Sequence, residues 1–516
     1  MKLARFCVTI LHLTPEQILF QIIRHIHTPK FIPTAYAGNV GFDHLTDPIS
    51  KTASLNNGEF TFLNQSHKFQ GWEDDHFGPL WTYNLNYMDW LQQPEITPDE
   101  CAFWIDRFIE DTRCNKIGFA PYPTALRCIN WIKFFCDNNR YATSERLSHL
   151  FSQLQLLSKS IEYNIGANHL LEDTFALTIG AAFFKDKKMA RKATRLLNRE
   201  LNRQILPDGA HYEQSPMYHC ILSDRILDCI NYIGNGNPDL FKTDTMECLI
   251  KNAKATIGHL KSIVWDDGTI PLLNDSAYGI APQPSELLDY AIRLGLDSAP
   301  IAMKECGYRR LANNRINVIA DVGNITAKNQ PGHTHADTLS YEMRIDNKPF
   351  IIDTGISTYN KNDRRQYERG TKAHNTVSVD GKDSSQVWSG FRVASRAKVK
   401  IKEDKCHRLV ACHDGFGKHS IHTRCFSLDD NIFSIDDICN TQKNAVSRIH
   451  FAPGVKILSA DNSRIVTDKA TICIEGSVQV MINDVESSVE YNDTKKCKVA
   501  EISFKNHLTY SLHINP

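Results

Sequence analysis

The stretch INVIADV, residues 316–322, marks the point at which the hydrophobic pattern of the chain changes. Apolar residues nearly alternate here with polar or small ones, as they do on a β-strand that turns one face toward a core. Similar short stretches follow at residues 376–380, 397–401, 478–482 and 508–512, with Asp-Asn and Asp-Gly turn signals between them. This pattern predicts a C-terminal antiparallel β-sandwich of short strands.

Upstream of this point the apolar period is helical. Cys101, Trp104, Ile105 and Phe108 recur at steps of three and four residues, which predicts an amphipathic helix. The same pattern predicts helices at residues 123–137, 144–163, 169–184, 187–204, 245–263 and 284–294. Because no strand pattern interrupts them, we expect an all-α domain built as a bundle, a solenoid or a toroid of hairpins. We place an N-terminal arm at residues 1–55, the helical domain at 56–305 and the sandwich at 306–516.

Length and composition narrow the class of protein. The 516 residues exceed one compact core, and 59 basic residues balance 59 acidic ones. The overall charge therefore gives no drive toward nucleic acid, which we do not expect as a partner, or toward an anionic membrane, and any anionic ligand must be met by a local basic patch. Fifteen cysteines without a CxxC pair are typical of reduced thiols. No stretch approaches the roughly 18 apolar residues of a membrane span. We therefore expect a cytoplasmic protein, or a periplasmic one if the short apolar N-terminus is an atypical signal.

The stretch GHTHADTLS, residues 332–340, places two imidazoles and a carboxylate within five residues. His333, His335 and Asp337 could form one metal site, or the two histidines could simply bond loop carbonyls. A third histidine, His374, and another carboxylate, Asp353, belong to neighbouring strand-like stretches. Histidine and aspartate side chains from adjacent strands can also form a metal site.

Two polar loops precede predicted helices, at residues 164–173 and 207–219. Asn168 can donate hydrogen bonds to a carboxylate, and Tyr218 can give or take a proton. Glu213 and His211 can bind sugar hydroxyls or orient their neighbours. The alternative is structural, with Asn168 and Ser215 as helix N-caps.

Arginines and aromatic residues alternate at residues 364–372 and 388–396. Such charge clusters are usually solvated faces of a protein. A guanidinium group also binds carboxylate or sulfate, and aromatic rings stack on sugar rings. These two segments are therefore candidate contacts for an acidic glycan.

Together with LWTYNLNY (residues 80–87), PYPTALRCINW (121–131), NDS (274–276) and AHNT (373–376), these motifs resemble the heparinase II/III-like polysaccharide lyases over nearly the whole chain. The resemblance implies an α+β protein with an N-terminal incomplete (α/α) toroid and a C-terminal antiparallel β-sandwich. It also implies an enzyme that cleaves a uronic-acid-containing glycan by β-elimination. That glycan would be heparan-sulfate-like or a bacterial exopolysaccharide.

The resemblance also implies roles for single residues. Asn168 and His169 would neutralise the uronate carboxylate, Tyr218 would be the general acid and a candidate base, and His333 would be the second proton-transfer residue. Tyr218 could act as the base if nearby cations lowered its pKa.

A zinc ion that orders the sandwich face of the cleft would be held by His335, Asp353 and His374, with Asp337 in a supporting position. The expected partner is an acidic polysaccharide, and the expected state is a monomer or a homodimer. The expected substrate-binding residues are Glu213, His211, Trp81, Tyr83, Arg127, Arg369, Arg392 and Arg396.

Two rival functions stay open. Toroids of this kind also carry glycoside hydrolases with paired carboxylates, for which Glu213 with Asp208 or Asp173 would serve. A non-catalytic glycan-binding or assembly protein of capsule or exopolysaccharide synthesis would also keep the cleft. A net charge of zero is modest for a protein that must hold highly sulfated heparin.

Overall fold

The structure is a computed structural model, which describes residues 2–41, 45–236, 238–441 and 443–515. Most helices precede most strands, as the change of period predicts. The helices are α1 Lys2–Ile10, α2 Pro15–Ile26, α3 Pro79–Tyr87, α4 Pro98–Glu110, α5 Pro121–Asp137, α6 Ser144–Lys159, α7 Ala167–Phe184, α8 Lys187–Gln204, α9 Pro216–Gly236, α10 Thr243–Ile263, α11 Pro284–Arg293 and α12 Asp363–Glu368.

The strands fall in three regions of the chain. The first three precede α3, and the others follow α11. They are β1 Leu55–Asn56, β2 Glu59–Phe62, β3 Gln65–Lys68, β4 Tyr308–Ala312, β5 Ile316–Asp321, β6 Tyr341–Ile345, β7 Lys348–Ile351, β8 Val377–Val379, β9 Val387–Trp388, β10 Arg392–Val393, β11 Val399–Lys405, β12 Arg408–His413, β13 His422–Asp429, β14 Ile432–Cys439, β15 Ala445–His450, β16 Ile457–Ala460, β17 Arg464–Thr467, β18 Ala470–Glu490 and β19 Asp493–Ile514.

The helical part is a toroid of hairpins. Helices α5, α7 and α9 pack side by side, and α6, α8 and α10 lie against them. Helix α7 is apolar around nearly its whole circumference and is buried along its length, as expected of an inner helix. Helix α8 has one apolar stripe and one charged face, as expected of an outer helix. The toroid alternative is therefore confirmed.

Residues 2–68 contain structure that the sequence did not predict. Strands β1, β2 and β3 form a small antiparallel sheet, and α1 and α2 lie at the periphery. Helix α2 begins with a capping box between Thr14 and Gln17. No single helix in the described residues is long and apolar enough to cross a membrane. The two N-terminal helices meet that standard only jointly, across a bend of 114°.

The C-terminal part is an antiparallel β-sandwich. Strands β4 to β7 form one sheet, and the other sheet runs β11-β12-β13-β14-β19-β18-β17-β16, with β15 and β8 joined to it through β19. The two sheets share one core, in which Tyr341 packs against Phe426 and Phe433. The sandwich prediction is thus confirmed.

Two strands are far longer than the sequence predicted. Strands β18 and β19 have 21 and 22 residues and pair as one hairpin, whereas we predicted short strands at residues 478–482 and 508–512. Register shifts between Glu475 and Gln479 interrupt the alternation of buried and exposed residues. Beyond them the hairpin leaves the sandwich core and reaches the helical part, where Tyr491 at its tip joins the toroid core.

Candidate active site

A buried carboxylate, Asp275 of the helical part, bonds side chains of the sandwich part at the junction of the two parts, which we call the cleft. Its Oδ2 atom is 2.9 Å from His333 Nδ1, and its Oδ1 atom is 2.7 Å from His335 Nε2. Arg365 donates to both oxygens, with Nη2 2.6 Å from Oδ2. Burial alone would raise the pKa of Asp275, but Arg365 and the two histidines outweigh it and hold that pKa well below its usual range. Asp275 is therefore an ionised acceptor that orients both imidazoles.

Backbone contacts hold the two segments of this cluster together. The Asp275 N–H donates to the His333 carbonyl at 3.1 Å, and the His335 N–H donates to Asn274 Oδ1 at 2.9 Å. Asn274 adopts a left-handed conformation with φ 56°, which asparagine tolerates better than most residues. This local conformation lets residues 274–276 lie beside residues 333–335.

Tyr218 and His333 form a stacked pair at the cleft. Their ring centroids are 3.9 Å apart with 29° between the ring planes. The Tyr359 hydroxyl donates to the Tyr218 hydroxyl at 3.4 Å and lies 3.3 Å from His333 Nδ1. Burial raises the pKa of Tyr218, so the condition we set for Tyr218 as the base, a lowered pKa, is not met. The buried phenol is a proton donor at neutral pH.

Asn168, in the first turn of α7, directs its side-chain amide toward His333. Its Nδ2 atom donates to Glu213 Oε2 at 2.7 Å and lies 3.4 Å from His333 Nε2. Asn168 is therefore not a helix N-cap, and Gly166 occupies that position. Ser215 does cap α9, because its Oγ accepts from the Tyr218 N–H at 3.1 Å. Glu213 is buried and orients the Asn168 amide.

His169 pairs with a buried carboxylate beside Asn168. Its Nδ1 atom is 2.8 Å from Glu162 Oε2, and its ring packs on Tyr122 with centroids 4.4 Å apart. Burial opposes the charged imidazolium, but Glu162 outweighs it, so the pKa of His169 is raised. A protonated imidazole with 30% of its side chain exposed can meet an anionic ligand.

Four of the expected substrate-binding residues are buried structural residues, which corrects that expectation. Arg127 donates to Gln153 Oε1 at 2.7 Å, and Arg369 donates to the Thr334 carbonyl at 2.8 Å. The other two are Trp81, whose indole donates to the Gln65 carbonyl, and His211, whose Nε2 lies 3.1 Å from Gln204 Oε1. All four side chains are buried inside the protein, although His211 Nδ1 and Arg369 Nη1 have no hydrogen-bond partner among the described residues.

Of the other expected contacts, Glu213 is buried and three residues lie nearer the surface. Tyr83 is half-buried beside Tyr87. Arg392 is exposed, and Arg396 is half-buried with Nη1 2.6 Å from the Lys328 carbonyl. These two arginines line a groove beside the N-terminal helices, outside the cluster around Asp275. The structure therefore does not bring all the expected arginines to one site.

The expected zinc ligands keep free ring nitrogens. Nδ1 of His335 and Nε2 of His374 are buried and have no hydrogen-bond partner, and Oδ2 of Asp337 has none either. His374 Nδ1 is 2.6 Å from Asp353 Oδ2. Two unpartnered imidazole nitrogens beside carboxylates fit the donor set of zinc.

A second group of possible metal ligands lies at the junction of the two parts. Among the described residues, ligand atoms of Asp208, His259 and Cys306 all lie within 4.8 Å of one another. His335, Asp353 and His374 do not form such a group in the described structure. The junction group is buried, and its chemistry fits a metal ion of the zinc type.

The carboxylates that the glycoside hydrolase alternative would need are engaged in hydrogen bonds within the protein. Asp208 Oδ2 accepts the N–H groups of Lys304 and Cys306 at 2.9 and 2.8 Å. Asp173 Oδ2 accepts the Glu162 N–H at 2.7 Å, and burial raises the pKa of Asp173 well above its usual range. Glu213 bonds Asn168 instead of facing a second carboxylate across a gap. The geometry does not favour a paired-carboxylate mechanism.

Sequence reasoning missed Asp275 and Arg365 as site residues. Both stood in motifs that we singled out, NDS and the arginine-rich segment 364–372. Asp275 lies 58 residues from His333 and 90 from Arg365 in the chain. Nothing in the local pattern shows that one carboxylate meets two histidines and an arginine.

Family models match both halves of the chain. The model described as "Heparinase II/III N-terminus" matches residues 130–283, and the model described as "Heparinase II/III-like, C-terminal" matches residues 296–504. A heparin-sulfate lyase from Bacteroides stercoris is 22% identical in an alignment 433 residues long that covers 76% of this chain and 62% of that protein. Another from Pedobacter heparinus is 25% identical in an alignment 360 residues long that covers 62% of this chain and 52% of that protein. The matched region thus spans less than two thirds of these relatives.

Solved structures share the fold. A crystal structure of heparinase III superposes with a TM-score of 0.66 at 16% identity, covering 89% of this chain and 80% of that one. A heparan sulfate lyase from Pedobacter heparinus superposes with a TM-score of 0.57 at 15% identity, covering 96% and 87%. Both show the helical toroid followed by the β-sandwich that the sequence predicted. Since the two family models together match more than half of its residues, the chain belongs to the heparinase II/III-like family.

Proposed function

We propose that this chain is a polysaccharide lyase that cleaves an acidic, uronic-acid-containing polysaccharide by β-elimination. The observation that carries the proposal is the stacked pair of Tyr218 and His333, with Asn168 beside it. Relatives that bear the name heparin-sulfate lyase support it. A proton donor and a proton acceptor on one site are what an elimination needs.

The reaction removes the proton at C5 of the uronate and expels the oxygen at C4, which leaves a C4–C5 double bond. The C5 proton is a very weak acid because the adjacent carboxylate is already negative. The Asn168 amide and the His169 imidazolium are suited to bind that carboxylate and stabilise the charge that grows on it. Glu162 raises the pKa of His169 against the opposing effect of burial and so favours the charged imidazolium.

His333 is suited to be the base and Tyr218 the acid. The hydrogen bond to the ionised Asp275 places the proton of neutral His333 on Nδ1, so Nε2 keeps its lone pair beside Asn168. His333 Nε2 takes the C5 proton, the C4–O bond breaks, and the Tyr218 hydroxyl gives its proton to the departing oxygen. Solvent then returns the two residues to their starting protonation states.

We also propose that His335, Asp353 and His374 hold a zinc ion. The ion would order the sandwich face of the cleft, and it takes no part in the proton transfers described above. The unpartnered nitrogens of His335 and His374 support this assignment.

The charges around the cleft favour a glycan that carries carboxylates and few sulfates. Arg127 and Arg369 are fully buried, which removes two of the expected cations from the binding surface. A uronate-rich exopolysaccharide therefore fits better than highly sulfated heparin.

The test is a panel of heparan sulfate, hyaluronan, alginate and polyglucuronate, followed by the ultraviolet absorbance of the unsaturated product. We expect product from at least one of them, and we expect Tyr218→Phe to lower kcat by about 10²- to 10⁴-fold. The fold should survive because, among the described residues, the Tyr218 hydroxyl accepts a single long bond, from Tyr359. Reducing ends without absorbance would indicate a hydrolase, and binding without product a glycan-binding protein.

A further inference from the structure

Helix α2 packs on the protein with its polar side. Gln17 is buried, and its Nε2 donates to the Ile165 carbonyl at 2.9 Å. Arg24 donates to the Ser160 carbonyl at 2.7 Å. Phe20 adds a ring contact with Tyr163 at 4.4 Å between centroids. An ordinary surface helix packs its apolar face on the protein. Helix α2 does the opposite and leaves its apolar face exposed.

The outward side of both N-terminal helices is apolar. We call it the apolar ridge, and its members are Leu3, Phe6, Ile10, Leu11, Ile18, Leu19, Ile22, Ile23 and Ile26. They include more than half of the exposed large apolar side chains among the described residues, and Leu11 and Ile26 are 82% and 81% exposed. Single exposed apolar residues are normal, but nine of them within residues 3–26 mark an interaction site.

A groove of about 600 Å³ runs between the ridge helices and the sandwich. Phe6, Ile10 and Ile22 line it on one side, and Arg392 and Arg396 line it on the other. Nε of Arg396 is buried without a hydrogen-bond partner, and Arg392 lies over the ring of Phe6 at 5.8 Å. Neither guanidinium has a carboxylate within ion-pair distance in the part of the chain that the structure describes. The edge of the ridge therefore offers unpaired positive charge.

The N-terminal arm is positively charged, like the edge of the ridge at Arg392 and Arg396. Residues 2–32 contain Lys2, Arg5 and Lys30, besides Arg24, which is paired with Glu162, against a single acidic residue, Glu16. A symmetric dimer through the ridge would bring two such basic arms together, which costs free energy. An anionic lipid surface complements both the charge and the apolar face.

We propose that the apolar ridge is a docking surface for an anionic lipid bilayer. Helices α1 and α2 lie at the level where headgroups meet acyl chains, with the ridge toward the chains. Arg392 and Arg396 face the headgroups. The groove reaches the cleft at Phe391, whose ring centroid is 6.4 Å from that of His333, so a docked chain holds its cleft next to the bilayer.

The test is cosedimentation of the full chain with vesicles of phosphatidylcholine, with and without phosphatidylglycerol. We expect binding that requires phosphatidylglycerol and weakens with added salt. The variant Leu19→Gln/Ile22→Gln/Ile23→Gln should bind at least tenfold more weakly. The matched control Leu458→Gln/Val478→Gln changes exposed apolar residues of the sandwich and should bind like the wild type.

A second variant, Arg392→Gln/Arg396→Gln, should lose the preference for phosphatidylglycerol. Absence of cosedimentation with every vesicle would overturn the proposal, as would equal binding by the ridge variant and the control. A wild-type dimer that the ridge variant converts to a monomer, without vesicle binding, would assign the ridge to a second copy of the chain and overturn it too.

Discussion

At the residue scale, one carboxylate sets the roles of two histidines. Asp275 Oδ2 accepts a hydrogen bond from His333 Nδ1, and Oδ1 accepts one from His335 Nε2. His333 is therefore left with a free Nε2 beside Asn168, and His335 is left with a free Nδ1 beside His374. The two histidines of the GHTHADTLS stretch thus present opposite ring nitrogens, one to the cleft and one to the sandwich.

The substitution Asp275→Asn tests whether Asp275 orients the His333 imidazole for catalysis as well as stabilising the fold. It leaves the Arg365 guanidinium buried without its anion, which costs about 3–5 kcal/mol, and it removes the acceptor that fixes the His333 tautomer. We expect kcat of the folded enzyme to fall by about 10²- to 10⁴-fold. Denaturant unfolding and product absorbance measure the two effects.

Asp437→Asn is the matched control for that substitution. Asp437 is a buried carboxylate in the sandwich that bonds Arg424 at 2.7 Å and His422 at 2.7 Å, away from the cleft. It should lose similar stability and keep the kcat of its folded fraction. Equal losses of kcat in both variants would reduce Asp275 to a structural residue.

Glu162→Gln should change the pH dependence of substrate binding. Because Glu162 raises the pKa of His169, the imidazolium is present below that raised pKa and is lost as pH rises through it. KM for an acidic glycan should therefore increase on the alkaline side in the wild type. Glutamine keeps a hydrogen bond but not the charge, so the increase should begin at lower pH.

His169→Gln provides the control for this profile. With no imidazole at this position, KM should be high and should lose the pH dependence between about pH 5 and 8 that a histidine confers. If KM of Glu162→Gln follows the wild-type profile, His169 does not bind the uronate as a cation.

The sequence named the side chains that meet at the candidate site better than the residues that support them. Tyr218, His333 and Asn168 could be named because they stand in local motifs, and the structure brings them together. The burial of Arg127 could not be predicted from the sequence. The pattern of an arginine within an apolar helix is the same whether its guanidinium contacts solvent or a buried acceptor such as Gln153. Burial of a charged side chain depends on tertiary contacts.

At the element scale, the tip of the long hairpin helps to build the cleft. The Ser488 N–H donates to the Thr354 carbonyl at 2.8 Å, and the Asn492 N–H donates to the Ser357 carbonyl at 3.0 Å. Tyr491 at the tip packs against Tyr359 with ring centroids 5.3 Å apart. The Tyr359 hydroxyl in turn contacts Tyr218 and His333. Strand pairing far from the active site thus positions an aromatic wall of the cleft.

Gly355→Ala should displace this tip. Gly355 has φ 66°, and an added Cβ would lie 1.9 Å from the Ser488 carbonyl oxygen. Backbone must move to relieve that overlap, so we expect a loss of more than about 2 kcal/mol and a lower kcat. Urea unfolding and product absorbance provide the measurements.

Gly454→Ala controls for backbone strain alone. Gly454 also has a positive φ, 92°, but an added Cβ there meets nothing within 4 Å. It should cost about 1–2 kcal/mol and leave kcat unchanged. Equal effects of the two substitutions would show that the tip does not depend on close packing at Gly355.

The elements themselves were predictable where their pattern is local. The predicted helix at residues 187–204 matches α8, Lys187–Gln204, because one apolar stripe runs its full length. The full extent of β18 was not predictable, since its bulges and solvent-exposed half break the alternation. Strand length there is set by pairing with β19, which is information that no single segment contains.

At the scale of the whole molecule, the cleft exists only where the toroid and the sandwich meet. Tyr218 and Asn168 come from toroid helices, whereas His333, Arg365 and Tyr359 come from the sandwich part. Asp208 fastens the junction by accepting two backbone N–H groups of residues 304–306. The order of toroid and sandwich follows from the period change near residue 305, but the alignment of the two site halves required the folded structure.

The described residues include two groups of possible metal ligands, one in the sandwich around His335 and one at the junction around Cys306. Measuring the metal content of variants shows which group binds the ion. We expect one zinc ion per chain, lost in His335→Ala with a fall in Tm of at least about 5 °C, because that ion joins separate segments of the sandwich. His333→Ala should keep the zinc and lose turnover, since its ring serves the cleft. Cys306→Ser should keep the zinc as well. Zinc that survives His335→Ala and disappears in Cys306→Ser would instead place the ion with Asp208 and His259 at the junction, and a zinc-free wild type would contradict both sites.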